Sequence, residues 1–347
     1  NIVLVSERDR HVLAFGCDPE GDPGNLDPLT IRFSTQESFT VWNALATNTA
    51  GELRVGSGSE IVAAIQTKQQ VVVFTDRSVS AMQYIGPPFT FGLAEVSTNT
   101  SILGQNAAVA VGDAVYWMGN DVFYRYDGNV SIIPCPVEEF VFDNVNTSQL
   151  SKVTAGSNSE FNEVWWFYPS ANSEANDRYV AFNYSDNTWF FGSLDRTAWD
   201  AGGVSGFPIA ASPDGNIYFQ ENGISDGSTN PPSPLNSFVE SSGIDVGDGD
   251  QFMSVKRIIP DVGFRNSTGT PLVTFTLNAR TYPGSGTTQT ESGNTVRTSS
   301  TPLEKYTNQI DVRLRGRSVS LRVESNEVNT QWRLGTPRID IRPDGRR

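Results

Sequence analysis

Along this chain, apolar runs of four to seven residues alternate with polar breaks rich in Gly, Asn, Asp, Ser and Pro. That rhythm predicts short β-strands joined by turns. Residues 114–128, AVYWMGNDVFYRYDG, set two aromatic runs on either side of a polar break, and Asp127-Gly128 closes the second run. The form is that of a hairpin, and it recurs at Gln70–Tyr84. Three-run versions occupy His11–Gly16 with Leu29–Trp42, and Glu163–Ser170 with Asp177–Ser193. Asp214–Gly223 is a shorter relative. Only Pro136–Asn146, with Val137, Phe140, Val141 and Val145 apolar, has a helical period, and that helix is expected to be short.

Each hairpin follows a run of small apolar residues: IVLVS at Ile2, IVAAIQ at Ile61, AAVAVG at Ala107, VTAGS at Val153 and FPIAAS at Phe207. Their starts lie 59, 46, 46 and 54 residues apart. A drifting repeat of this size, with about four strands per unit, predicts a β-propeller with about five blade-like repeats. The small-residue runs are its innermost strands, where large rings do not fit. Trp117, Trp165, Trp166 and Trp189 are expected on outer strands, packed between blades. A set of β-sandwiches is the alternative.

After a Pro/Ser/Asn-rich connector at residues 225–238, the strands show cleaner alternation: Pro271–Tyr282, Gln309–Ser325 and Gln331–Pro343. In Gln309–Ser325, Val312, Leu314, Val319, Leu321 and Val323 alternate with polar residues, so one face is buried and the other wet and arginine-rich. The fold class is therefore all-β. Residues 1–235 form a propeller body, and residues 236–347 a C-terminal antiparallel sandwich-like module. Whether a strand of that module completes the propeller stays open.

Net charge is −14, and it is unevenly spread: residues 301–347 carry +4 and residues 1–300 carry −18. An acidic body of that size repels nucleic acid. Arg outnumbers Lys 21 to 4, a bias that suits interfaces. His11 is the only histidine, which excludes His-rich metal sites and most Ser-His or Cys-His pairs; a surface strand end is expected for it. Cys17 and Cys135 have no metal or redox spacing, leaving two free thiols or one disulfide. No apolar run has the length of a membrane-spanning helix. The first residue is Asn1, so the chain is read as processed or as lacking an N-terminal piece.

No catalytic residue stands out, and no cofactor is expected. IDVGDGDQF at Ile244–Phe252 places Asp245, Asp248 and Asp250 beside glycines, either a solvated turn or a Ca²⁺ site without the EF-hand pattern. Arg313, Arg315, Arg317, Arg322, Arg333, Arg338 and Arg342 suit acidic protein surfaces, or a solvated strand face paired with acids such as Glu324 and Asp340. Phe89 and Phe91, in the loop Gly86–Gly92, are candidate contact residues because rings are poorly placed in water.

Four stretches carry a family resemblance: Thr75–Gly92, Gly104–Gly128, Gly243–Phe252 and Val312–Arg347. They resemble the tail nozzle, or tail tubular, virion proteins of short-tailed double-stranded DNA bacteriophages, over residues 55 to the end. The resemblance implies a propeller-bearing subunit of a homo-oligomeric ring, typically a hexamer, in the virion tail. That ring sits below the adaptor and portal, surrounds the DNA ejection channel, and offers its outer surface to fibres or spikes. DNA passes through without specific binding. The subunit or adaptor contacts expected on this reading are Phe89, Phe91, Arg313, Arg315, Arg317, Arg322 and Arg333. The alternative is a carbohydrate-binding or carbohydrate-cleaving propeller that recognises a receptor through exposed aromatics such as Trp199.

Overall fold

The computed structural model describes residues 2–204, 206–247, 249–282 and 297–346. The chain divides into two compact units, Asn1–Glu221 and Asn222–Arg347.

The first unit is a β-propeller body of five blades. The first blade pairs Ile2–Ser6, His11–Cys17, Asp27–Phe33 and Gly51–Arg54 in chain order. The second pairs Ile61–Gln66, Val71–Thr75, Ser78–Gly86 and Thr90–Thr98. The third pairs Ala108–Val111, Ala114–Met118, Phe123–Tyr126 and Val130–Ile133. The fourth pairs Thr154–Asn158, Glu163–Tyr168, Arg178–Asn183 and Thr188–Gly192. The fifth has three strands, Ala198–Asp200, Ile209–Ala211 and Ile217–Phe219. The first strand of each blade abuts the first strand of the next, from Ile2–Ser6 through to Ala198–Asp200. Small side chains permit this approach. At Gly156 an added Cβ would collide with the indole of Trp199.

Period-2 alternation gives each inner blade two buried faces. In the fourth blade, Val164, Trp166 and Tyr168 join the core shared with the second and third blades. Trp165 and Phe167 pack with Trp199 of the fifth blade. Trp166 donates its indole N–H to the carbonyl of Ala107 in the run leading into the third blade, at 3.1 Å. Trp117 is fully buried, edge-on to Phe74 of the second blade. Trp189 lies against Phe123 of the third blade. The expected inter-blade tryptophans are thus in place. The predicted helix is the single short turn Glu138–Phe142.

Two details differ from the sequence pattern. FPIAAS supplies the middle strand of the fifth blade, Ile209–Ala211, and Ala198–Asp200 takes the inner position. The third apolar run of the first blade, SFTVW, is loop; Gly51–Arg54 is the fourth strand instead. Phe39 is 78% and Val41 40% exposed there, so little apolar burial holds that run to the sheet.

The second unit is an antiparallel sandwich. One sheet orders Ser237–Glu240, Ser318–Ser325, Leu272–Arg280 and Arg297–Glu304, with Ile244–Asp245 also on Ser318–Ser325. The other orders Ile310–Gly316, Met253–Ile259 and Arg338–Pro343. Val312 and Leu314 from one sheet and Val319, Leu321 and Val323 from the other share one core. Gly316, where the chain changes sheets, lies so close to Ala279 that an added Cβ would stand 2.8 Å from that residue's Cβ. The connector belongs with this unit: the Asn329 N–H donates to Ser225 Oγ at 2.7 Å. The boundary therefore precedes residue 235.

Candidate functional site

The arginine-rich strands divide into anchored and free side chains. Arg322 donates to Glu324 at 2.8 Å and to Glu240 at 3.3 Å, and its guanidinium lies 4.0 Å from the Phe238 ring centroid. Arg315 donates to the Asp344 carboxylate at 2.6 Å and lies over Phe252. Arg317 shares that ring from 4.9 Å and donates to the Asp250 carbonyl at 3.3 Å. Arg342 pairs with Asp340 at 3.6 Å. Glu324 and Asp340 are the acids the sequence pattern suggested. Arg313, Arg333 and Arg338 are exposed and form no ion pair among the described residues. Arg313 and Arg333 are therefore the arginines of the predicted contact set that remain available to a partner.

Phe89 is 73% exposed at a turn tip. Phe91 is not available: it is 3% exposed, its ring 5.0 Å from Phe33 and 5.1 Å from His11. Strand alternation turns it inward. His11 is also buried, which corrects the expectation of a surface position. Its Nδ1–H donates to the Asp9 carbonyl at 2.7 Å, and its Nε2 accepts from Thr49 Oγ1 at 3.1 Å. Burial holds its pKa below the ordinary value, against the pull of Asp9, so the ring is neutral. Beside it, Val5, Arg10, His11, Glu37 and Phe39 help line an open depression of about 480 Å³.

Asp245 is exposed at the end of its short strand, and Asp250 pairs with Arg346 at 3.4 Å. Asp248 lies outside the described residues. Among those residues, no three His, Cys, Asp or Glu side chains are placed to share a metal ion. Cys17 and Cys135 are free and half-buried. Burial raises the pKa of both thiols, that of Cys135 to about 11, so neither is an activated nucleophile. Trp199 is no open sugar platform: its ring stacks on Trp165 and Phe167, and its N–H donates to the Ser157 carbonyl at 2.9 Å.

The site that the sequence did not single out is at the hairpin end of the fourth blade. Glu163 stands directly opposite Asn158 in the strand pair and accepts the Trp165 N–H at 3.0 Å. Burial, reinforced by the charge of Glu221, pushes Glu163 up to about 7. Glu221 is likewise raised, by desolvation against its surroundings and by Glu160, although much of its side chain is open to solvent. Asn158 is 1% exposed, and neither amide atom has a hydrogen-bond partner. The available signal was register: Glu163 alternates with Trp165 and so shares its inward face.

No protein-family model matches the sequence, and no curated protein matches it. Among solved structures, the chain is similar to Hsv2 of Kluyvelomyces marxianus, with 8% identity over 63% of this chain and 60% of that one, at a TM-score of 0.37. It is similar to the N-terminal domain of Nup159, with 10% identity over 73% and 69% of the two chains, at a TM-score of 0.33. A glycoside hydrolase aligns over 95% and 96% of the two chains, with 10% identity and a TM-score of 0.27. The chain thus spans less than two thirds of the length of Hsv2. At TM-scores this low the likenesses carry no functional inference. No helix among the described residues is long and apolar enough to cross a membrane.

Proposed function

We propose that this chain is a structural subunit of a short-tailed phage tail. In this reading several copies form a nozzle ring around the DNA ejection channel, beneath the adaptor and portal. It performs no catalysis. The observation that carries the reading is the segregation of charge between the two units. The propeller unit, residues 1–221, holds 26 acidic and 10 basic residues, a net of −16. Residues 222–347 hold 13 acidic and 15 basic residues, a net of +2.

A conduit must let DNA slide without gripping it. Phosphate grip is the main sequence-independent source of protein–DNA affinity, and it requires clustered Lys and Arg. The propeller unit supplies the opposite field, which at close range outlasts screening at physiological salt. The near-neutral second unit does not repel an acidic partner, and it leaves Arg313 and Arg333 exposed for the adaptor, a neighbouring copy or a fibre. Phe89 adds an uncommitted ring on the propeller unit.

The test is immunogold labelling of intact virions with antibodies raised against the purified chain, together with native mass spectrometry of the chain itself. The reading expects label confined to the tail and a closed homo-oligomer. Label on the capsid shell, or none on the virion, overturns it.

A further inference from the structure

A buried amide without partners is costly, at about 1–3 kcal/mol for each unsatisfied group, because it has given up water and gained nothing. Asn158 carries two such atoms, Nδ2 and Oδ1, on a side chain that is 1% exposed. The register fixes what it faces. Asn158 and Glu163 are directly opposed across the antiparallel pair, so their side chains project from one face of the sheet within contact reach. It is also the face that carries Gly156 and Trp165, against which Trp199 of the fifth blade packs. Glu221 follows the last strand of that fifth blade, where Phe219 lies opposite Ile209 and Ile209 opposite Asp200, the residue after Trp199; Trp199 in turn donates to the carbonyl of Ser157, next to Asn158.

Sequence and fold thus bring two carboxylates and one unsatisfied amide to the same hairpin end. The Trp165 N–H occupies only one oxygen of Glu163, at 3.0 Å. A water molecule would satisfy part of the amide and leave the two carboxylates repelling each other. A cation satisfies the amide oxygen and offsets both charges at once, while Asn158 Nδ2 is left to donate to a carboxylate oxygen. The donors are all hard oxygens, with no imidazole or thiolate among the named groups, which selects against Zn²⁺ and Cu²⁺. An irregular set drawn from two blades, with Glu221 exposed at its rim and open to water ligands, suits the flexible coordination of Ca²⁺ better than the rigid octahedron of Mg²⁺.

We propose that the hairpin end of the fourth blade, built from Asn158, Glu163 and Glu221, is a Ca²⁺-binding site that ties the fourth blade to the fifth. It is separate from the acidic turn at Asp245 and Asp250, and it does not depend on the proposed role in the virion. The ion would act as a clamp: Asn158 and Glu163 belong to the first hairpin of one blade, and Glu221 to the end of the next.

The experiment uses the whole chain, stripped with EDTA, and the ions themselves as probes. TbCl₃ is titrated while Trp fluorescence is excited, since Trp165 touches a ligand and will sensitise bound Tb³⁺. CaCl₂ is then added as competitor, and melting is recorded with and without Ca²⁺. The expected result is sensitised Tb³⁺ emission that Ca²⁺ displaces, and a Ca²⁺-dependent rise in Tm. Glu163→Gln, which keeps the acceptor for Trp165, and Glu221→Gln, which changes an exposed residue, should each weaken Ca²⁺ by about tenfold or more, because affinity follows ligand charge. Asp245→Asn should leave both signals unchanged. The proposal is overturned if the wild-type chain gives no Ca²⁺-competed emission. It is equally overturned if both glutamine variants, folded by circular dichroism, bind as the wild type does, or if Asp245→Asn alone abolishes the signal.

Discussion

The propeller unit and the C-terminal sandwich are both antiparallel β-structure, yet they fill their interiors differently. The shared core of the second to fourth blades contains Phe74, Tyr116, Trp117, Phe123, Trp166, Tyr168 and Phe182. Among the described residues, the fully buried core of the sandwich is aliphatic apart from Phe275, with Phe264 and Trp332 packed at its edge. Geometry explains the contrast. Blades splay apart with distance from the inner strands, so the gap between them widens and needs large rings. Two stacked sheets keep a separation of about 10 Å, which Val, Leu and Ile fill. Charge divides along the same boundary. The propeller unit is strongly acidic, whereas the sandwich balances its charge and ties Arg315, Arg317 and Arg322 to its own acids, rings and carbonyls.

Removing one of the large rings between blades should have the largest effect. Trp166→Ala should destabilise the propeller unit by about 3–5 kcal/mol, the usual cost of emptying a buried indole site. Limited proteolysis should then cut within residues 1–221 first. Equal early cutting in residues 222–347 would deny that the ring wedges belong to the propeller alone.

A smaller effect of opposite sign comes from Glu163. Its folded pKa, about 7, lies above the ordinary carboxylate value, so its contribution is most favourable below the unfolded pKa and is lost as pH rises through 7. In EDTA, Glu163→Gln should therefore stabilise the chain by about 1–3 kcal/mol at pH 8 and by little at pH 4, as urea midpoints will show. His11 has the reverse sign. Its folded pKa is depressed, so its contribution is present above the ordinary histidine value and is lost as pH falls below it. The wild-type chain should lose stability on acidification below about pH 6.5, the unfolded histidine pKa, and His11→Gln should flatten that part of the profile.

The smallest effects separate anchored from available arginines. Arg322→Ala removes a stacked, doubly paired guanidinium and should cost about 1 kcal/mol. Arg313→Ala should change stability by less than about 0.5 kcal/mol and be felt only in assembly. Equal losses from both would erase the division proposed for that face.

Much of this architecture was legible because it rests on period-2 alternation, which survives in any strand that buries a face. The small-residue runs marked the inner strands of four blades, and the aromatic hairpins marked the surfaces between blades. The fifth blade was misread by one strand. Ala198–Asp200 is only three residues long and offers no apolar run to notice, whereas FPIAAS does. Ser38–Trp42 has the pattern of a strand but joins no sheet among the described residues, and pairing is not written in a local pattern. Phe91 and His11 were placed outside because a loop-like sequence hid the strand Thr90–Thr98 and the close approach of two blades. The cluster at Glu163 was invisible for a related reason. Asn158 and Glu163 become informative only once they are seen face to face, with Glu221 brought in from the next blade.

Cryo-electron microscopy of the intact particle would show where this chain sits. A nozzle subunit should appear as a ring of copies on the tail axis, with the acidic propeller units lining or flanking the DNA path and the exposed Arg313 and Arg333 facing protein neighbours. A peripheral position, away from the axis and the DNA, would contradict it.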